Sequence, residues 1–176
     1  MDPDDFLSFL STRRSVREYC GECVVTEQDK DYMMAAAKTA PTAGNLESWD
    51  VVAVTDESQL ELLSDACGGQ QQVITSGCAF VVCANYVRAM SRFGERGILY
   101  AVQDATIAAS YMQLAAHALR LHTCWIGQFD ETEVKEALEL QGHIRPVAIL
   151  AVGEGMPPAS SPERMDAEEH VHYDYW

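Results

Sequence analysis

The chain has 176 residues, 48% of them hydrophobic, enough for one domain that buries roughly 70% of its unfolded surface, and this excludes a disordered chain. Twelve basic against 27 acidic residues leave a net charge of −15, which argues against nucleic acid or anionic membrane as partners. No apolar run reaches membrane-spanning length and Met1-Asp2-Pro3-Asp4-Asp5 lacks the basic charge of a signal peptide, so the expected location is the cytoplasm.

Asp2 before Pro3 reads as a cap followed by proline at the first helical position, opening a helix through Phe6, Leu7 and Leu10 to about Thr12. Thr26-x-x-Asp29 resembles a capping box and opens a second helix to about Thr39. Pro41 to Asn45 is a loop, and Trp49 to Thr55 a first strand. Asp56 caps a helix that stops at Gly68-Gly69. Ala79 to Ala84, apolar without a break, is a central strand. A polar stretch with Arg88, Arg92 and Arg96 follows.

Tyr100 to Arg120 is a long helix. Gln103, Thr106, Ser110, Gln113, His117 and Arg120 form a narrow polar stripe, and the rest of the perimeter is small and apolar. An apolar face that wide is expected to be buried on two sides, between a core and a subunit interface. Charged residues at Ala108 or Met112 would then split a dimer. His122 to Gly127 is a buried strand, Thr132 to Leu140 a short helix and Arg145 to Val152 a further buried strand. The order predicts a three-layer α/β sheet. The polar tail ends in Tyr173, Tyr175 and Trp176, and is either frayed or laid across something else.

Arg13-Arg14-Ser15-Val16-Arg17 gathers three of the nine arginines of an acidic chain. A helix C-terminus explains one or two cations. A phosphate explains all of them together with the hydroxyl. Neither a dinucleotide GxGxxG nor a phosphate-loop GxxxxGK motif occurs, and HExxH and GxSxG are absent too. Cys20-Gly21-Glu22-Cys23 lacks the second pair a zinc site needs. It reads as two thiols on a turn, with a redox dithiol as the alternative. The six cysteines are expected to be reduced, and His170-x-His172 is a weak metal signal.

Five segments in register carry a resemblance over nearly the whole chain. They are Arg13-Arg14-Ser15-x-Arg17, Ala40-Pro41-Thr42-Ala43-Gly44-Asn45-x-x-x-Trp49, Asp104-Ala105-x-x-Ala108, Leu119-x-Leu121-x-Thr123-Cys124-Trp125-Ile126-Gly127, and Arg164-x-x-x-x-Glu169-x-Val171-His172-x-x-x-Trp176. Together they resemble the nitroreductase family of FMN-dependent, NAD(P)H-oxidising oxidoreductases. The resemblance implies an α+β fold, a mixed sheet flanked by helices, in an intertwined homodimer with a long interface helix. Residues 1–153 would form the FMN-binding domain and 154–176 a tail wrapping the partner. It further implies that Arg13, Arg14, Ser15, Arg17 and Arg164 hold the flavin phosphate and ribityl chain. Pro41, Thr42, Ala43 and Asn45 would reach the flavin from the other subunit. Cys124, Trp125, Ile126 and Gly127 would lie along its ring system, and Gln70 would join from the Gly68-Gly69 turn. Hydride would pass from NAD(P)H through flavin N5 to a nitro, quinone, enone or flavin acceptor in ping-pong order, with no catalytic side chain and no metal. A non-catalytic flavin-binding protein is the alternative. The chain departs from the family pattern at Glu47-Ser48, where Gln-Pro is usual, and at Arg120 and His122, where glycines are usual.

Overall fold

Asp2 accepts the backbone N–H of Asp4 and Pro3 follows it, so helix α1 (Pro3–Thr12) begins where the cap predicts. The structure, a computed structural model, describes residues 2–21, 24–160 and 162–176. Strand β1 (Glu18–Tyr19) leads to α2 (Glu27–Ala37), whose capping box is formed in both directions by Thr26 and Asp29. A 3-10 turn (Ala43–Asn45) precedes β2 (Trp49–Val54). Helix α3 (Glu57–Ala66), capped by Asp56, and the single turn α4 (Gln72–Thr75) lead to β3 (Ala79–Asn85).

The arginine-bearing polar stretch is helical. Asn85 accepts the N–H of Arg88 and starts α5 (Tyr86–Phe93), and Gly94, at φ 55°, breaks it. Helix α6 (Arg96–Ala118) therefore begins one turn earlier than its apolar pattern suggests. It closes in a Schellman motif, with Leu121 N–H on the Ala116 carbonyl and Arg120 N–H on that of His117. Arg120 holds the left-handed position at φ 63° where glycine is usual. The chain then forms β4 (His122–Ile126), α7 (Glu131–Ala137), β5 (Ile144–Gly153) and β6 (Gly155–Met156), which pairs with β1.

The main sheet runs β2-β3-β5-β4, every neighbouring pair antiparallel, so the three-layer arrangement holds but its expected α/β character becomes α+β. The α3–α4 excursion leaves and re-enters the sheet at the same end, since Val54 pairs with Ala79. Hydrophobic periodicity does not encode that return. Outside the β4 edge, Ser15 bridges Thr123 in parallel, which makes the sheet mixed. A register shift at Val82/Cys83 accommodates Pro146, which has no N–H to donate.

Strand β3 is fully buried on both faces. Phe80, Val82 and Ala84 pack toward α2, α5 and α6, while Ala79, Val81 and Cys83 pack toward α3 and α7. Ala101, Ala105, Ala108, Ala109, Met112 and Ala116 turn the inner side of α6 onto the first of these cores. Its outer side leaves Leu99, Val102, Ile107, Tyr111 and Leu114 only partly covered. Ala108 and Met112 are thus core residues of the single chain, and a charge there would disrupt its folding, contrary to the expectation above. From Pro157 onward no described residue is buried, and Trp176 is fully exposed. Among the described residues no helix is long and apolar enough to cross a membrane.

Candidate functional site

The arginine segment leaves α1 as extended chain and docks on the sheet edge. Val16, fully buried, pins it by donating its N–H to the Thr123 carbonyl. A second tether comes from α6, where His117 Nε2 lies 3.0 Å from Thr12 Oγ1 and its ring packs on Phe9. The Thr12 hydroxyl already donates to the Phe9 carbonyl, so His117 is the donor to Thr12. Burial first, and then the charges of Arg13, His122 and Arg14, lower the pKa of His117 below the ordinary histidine value. Gln113 of α6 bonds Thr123 from the inner side. The predicted Arg13–Arg17 segment and the predicted His122–Gly127 strand are therefore neighbours.

Arg13, Arg14, Ser15 and Arg17 line a cleft of about 570 Å³ with Leu7, Leu10 and Ser11, and the tail brings Pro158, Pro162 and Arg164 to its other wall. Four guanidiniums thus border one cleft. None of them has a carboxylate partner among the described residues. Arg14 uses Nη1 on the carbonyls of Ser11 and Arg13, while Arg13 Nη1 is buried with no partner. Burial, then repulsion from Arg164 and Arg14, lowers the pKa of Arg13 below that of an ordinary arginine. An acidic protein that concentrates unpaired cations and leaves a buried N–H unsatisfied has the donor set of an anion site.

The β4 edge completes this side. Val152 donates to Cys78 on the β3 side, so its antiparallel partner Thr123 faces away from the sheet, as does Trp125 two residues on. The Trp125 N–H therefore points to the free edge beside the arginine segment. Its side chain is half-buried and Gly127 is exposed. Cys124 and Ile126 alternate into the core beneath α3 and α7, leaving only their backbone to a ligand. Gln70 reaches the same end, donating to the carbonyls of Cys67 and Gln128.

The Pro41–Asn45 loop lies elsewhere. It packs on the N-terminal half of α6, lining a second cleft of about 630 Å³ with Tyr100, Val102, Gln103, Asp104, Thr106 and Ile107. Gly44, Asn45 and Glu47 all have positive φ, a backbone that needs outside support. Asp104, buried, accepts the N–H groups of Ala43 and Ser48. Arg88 donates to the carbonyls of Glu47 and Trp49 and pairs with Asp50, and Arg92 donates to the Gly44 carbonyl. A Cβ on Gly44 would meet Arg92 Nη1 and Phe93 Cζ, both at 2.9 Å.

Sequence reasoning missed the supporting roles of Asp104, Arg88 and Arg92. The available signal was that Asp104 is the sole carboxylate of α6. Asp104→Ala strands two N–H groups, and its expected cost is about 3 kcal/mol, with Asp104→Asn recovering part. Thermal unfolding of the three proteins checks this, and equal stability of all three would contradict the role.

From Asp104 to His117 the two clefts are separated by about 20 Å along α6, so one chain does not bring its predicted cofactor residues together. The described cysteines are all free. Burial raises Cys67 and Cys78 to about 11 and Cys83 to about 12, which keeps these thiols protonated. Cys20 is exposed, and its expected companion Cys23 lies outside the described residues. The His172 ring packs on Trp176, and among the described residues no cluster suited to a metal occurs.

The family model of the nitroreductase family matches residues 10–154. An Archaeoglobus fulgidus protein provisionally named NADH dehydrogenase/NAD(P)H nitroreductase is 27% identical, with 98% of this chain and 99% of that one covered. The Bacillus subtilis FMN reductase (NADPH) is 27% identical over 82% of this chain, which spans 63% of its length. Among solved structures, the NfrA1 nitroreductase of B. subtilis has the same fold at a TM-score of 0.88, with 24% identity, 96% of this chain and 74% of that chain covered.

Proposed function

The chain belongs to the nitroreductase family, and from that premise we propose that it works in the cytoplasm as an NAD(P)H-dependent FMN oxidoreductase, assembled as a homodimer. The observation that carries this reading is the cleft of four unpaired guanidiniums beside the free β4 edge, with the buried Arg13 Nη1 lacking a partner. A terminal phosphate dianion is the ligand these donors fit, and FMN ends in one. Bound FMN would supply hydride transfer, taking the hydride from NAD(P)H at N5 and releasing it to a nitro, quinone, enone or flavin acceptor in ping-pong order.

The protein's part is binding and orientation. Arg13, Arg14, Arg17 and Arg164 hold the phosphate, with the Ser15 hydroxyl as a further donor. The Trp125 N–H and the backbone as far as Gly127 offer hydrogen bonds to the ring edge. Pro41, Thr42, Ala43 and Asn45 serve the site of the other subunit, and the 20 Å gap between the two clefts supports that division. Gln70 stiffens the turn against Gln128. The tail beyond Pro157 borders the arginine cleft through Pro158, Pro162 and Arg164 and buries none of its described residues, which leaves it surface to wrap the partner.

The visible spectrum of the purified protein, before and after addition of NADPH and a quinone, tests the reading. A flavin spectrum that bleaches with NADPH and returns with quinone is expected. A flavin-loaded protein that oxidises neither nicotinamide would favour a binding protein, and a colourless one that refuses added FMN would refute the proposal.

A further inference from the structure

Eight of the nine arginines of this chain fall into three sets, and the ninth, Arg120, sits in the turn that closes α6. Arg88 and Arg145 form ion pairs with Asp50 and Glu131, and four arginines surround the cleft assigned to phosphate. Arg92 and Arg96, with no carboxylate partner among the described residues, stand at the opposite end of α6, about 30 Å from His117 along the helix axis. Glu95 lies between them in sequence and pairs with neither.

Both are arranged on aromatic rings. The Arg92 guanidinium lies 5.5 Å from the Phe93 centroid and that of Arg96 5.6 Å from the Tyr100 centroid, while the two rings meet edge to face at 5.0 Å. A guanidinium held over a ring at this distance is restrained by the ring and keeps N–H groups able to donate elsewhere. Arg92 spends one N–H on the Gly44 carbonyl, which ties the pair to the Pro41–Asn45 loop. Tyr100 also lines the second cleft, and Arg96 stands about 10 Å before Gln103, another lining residue, along the helix. The aromatic pair thus reaches the cleft through Tyr100, and the two cations stand on its rings.

Resting on the proposed function, in which NAD(P)H reduces a flavin that the Pro41–Asn45 loop helps to hold, we propose that Arg92 and Arg96 receive the 2′-phosphate of the adenosine end and make NADPH the working reductant. NADH and NADPH differ only by that phosphate, a dianion in place of a hydroxyl. Two unpaired guanidiniums bind the first and gain little from the second. The adjacent aromatic edges suit the adenine that the phosphate accompanies.

The test is a calorimetric titration of the purified dimer with 2′,5′-ADP and with 5′-ADP, beside kcat/KM for NADPH and NADH. The wild type is expected to bind 2′,5′-ADP at least tenfold more tightly, with a similar ratio of kcat/KM. Arg96→Ala is expected to reduce both ratios tenfold or more, and Arg96→Lys to restore part of each. Arg92→Ala provides a second variant of the same direction. Equal affinity for the two nucleotides in the wild type, or a preference that survives Arg96→Ala, would overturn the inference. A yellow protein oxidising both nicotinamides equally well would overturn it while leaving the flavin reading intact. A colourless protein would overturn the flavin reading, and the nucleotide titration would still decide this one.

Discussion

Arg13→Ala is expected to yield a folded protein that loses FMN on dialysis, with at least tenfold weaker binding. The lost interaction is a charge-assisted hydrogen bond at a half-buried site, worth about 1.4 kcal/mol or more. Arg17→Ala should act in the same direction from an exposed position. The flavin-free protein gives a result of opposite sign. There, Arg13 keeps a buried N–H unsatisfied and faces the like charges of Arg164 and Arg14, so its removal relieves a cost. Melting without FMN is therefore expected to move up in Arg13→Ala, while the stabilisation gained on adding FMN shrinks. A merely structural arginine would lower the flavin-free melting temperature. Retention of full flavin through dialysis would contradict the assignment.

The residues that were legible in the sequence are those whose chemistry conflicts with their surroundings. Three arginines and a serine in five positions of a chain at −15 point to an anion, and the structure brings them together with Arg164 around one cleft. Local rules were equally readable, since the Asp2, Thr26 and Asp56 caps all form. The antiparallel order of the strands was not, because a helix between two strands reads alike whether the chain returns to the same end or the other. Asp104 was missed as a support because a lone carboxylate on a helix usually faces water, whereas here it closes two loop N–H groups. The two sides of α6 were indistinguishable for another reason. Alanine is apolar all round, so the pattern does not say that Ala108 and Met112 face the sheet while Ile107 and Tyr111 face outward. For Arg88 and Arg92 the sequence does not choose between a nucleotide contact and a surface helix, and only the positive-φ backbone of Gly44, Asn45 and Glu47 shows why guanidinium donors are needed there.

That distinction relocates the test of assembly to Ile107→Glu. In the single chain Ile107 is only half-buried and Tyr111 is 37% exposed, so a carboxylate there finds water and folding is expected to survive. In a two-fold pair of α6 helices crossing near Ser110, the Asp104 end of one lies against the His117 end of the other. This closes the 20 Å gap between the loop cleft and the arginine cleft. The polar stripe does not oppose such contact. Thr106 and Ser110 donate their hydroxyls to the carbonyls of Val102 and Thr106 in their own helix, so little unsatisfied polarity is presented to a partner. Ile107→Glu would bury two uncompensated carboxylates per dimer, roughly 3 kcal/mol each, and weaken association by about four orders of magnitude. Sedimentation is expected to show a folded monomer, and under the proposal that each flavin site draws on both chains, that monomer should be colourless. A yellow monomer would show that one chain suffices to hold the cofactor, and the assignment of the Pro41–Asn45 loop to the partner's site would then fall.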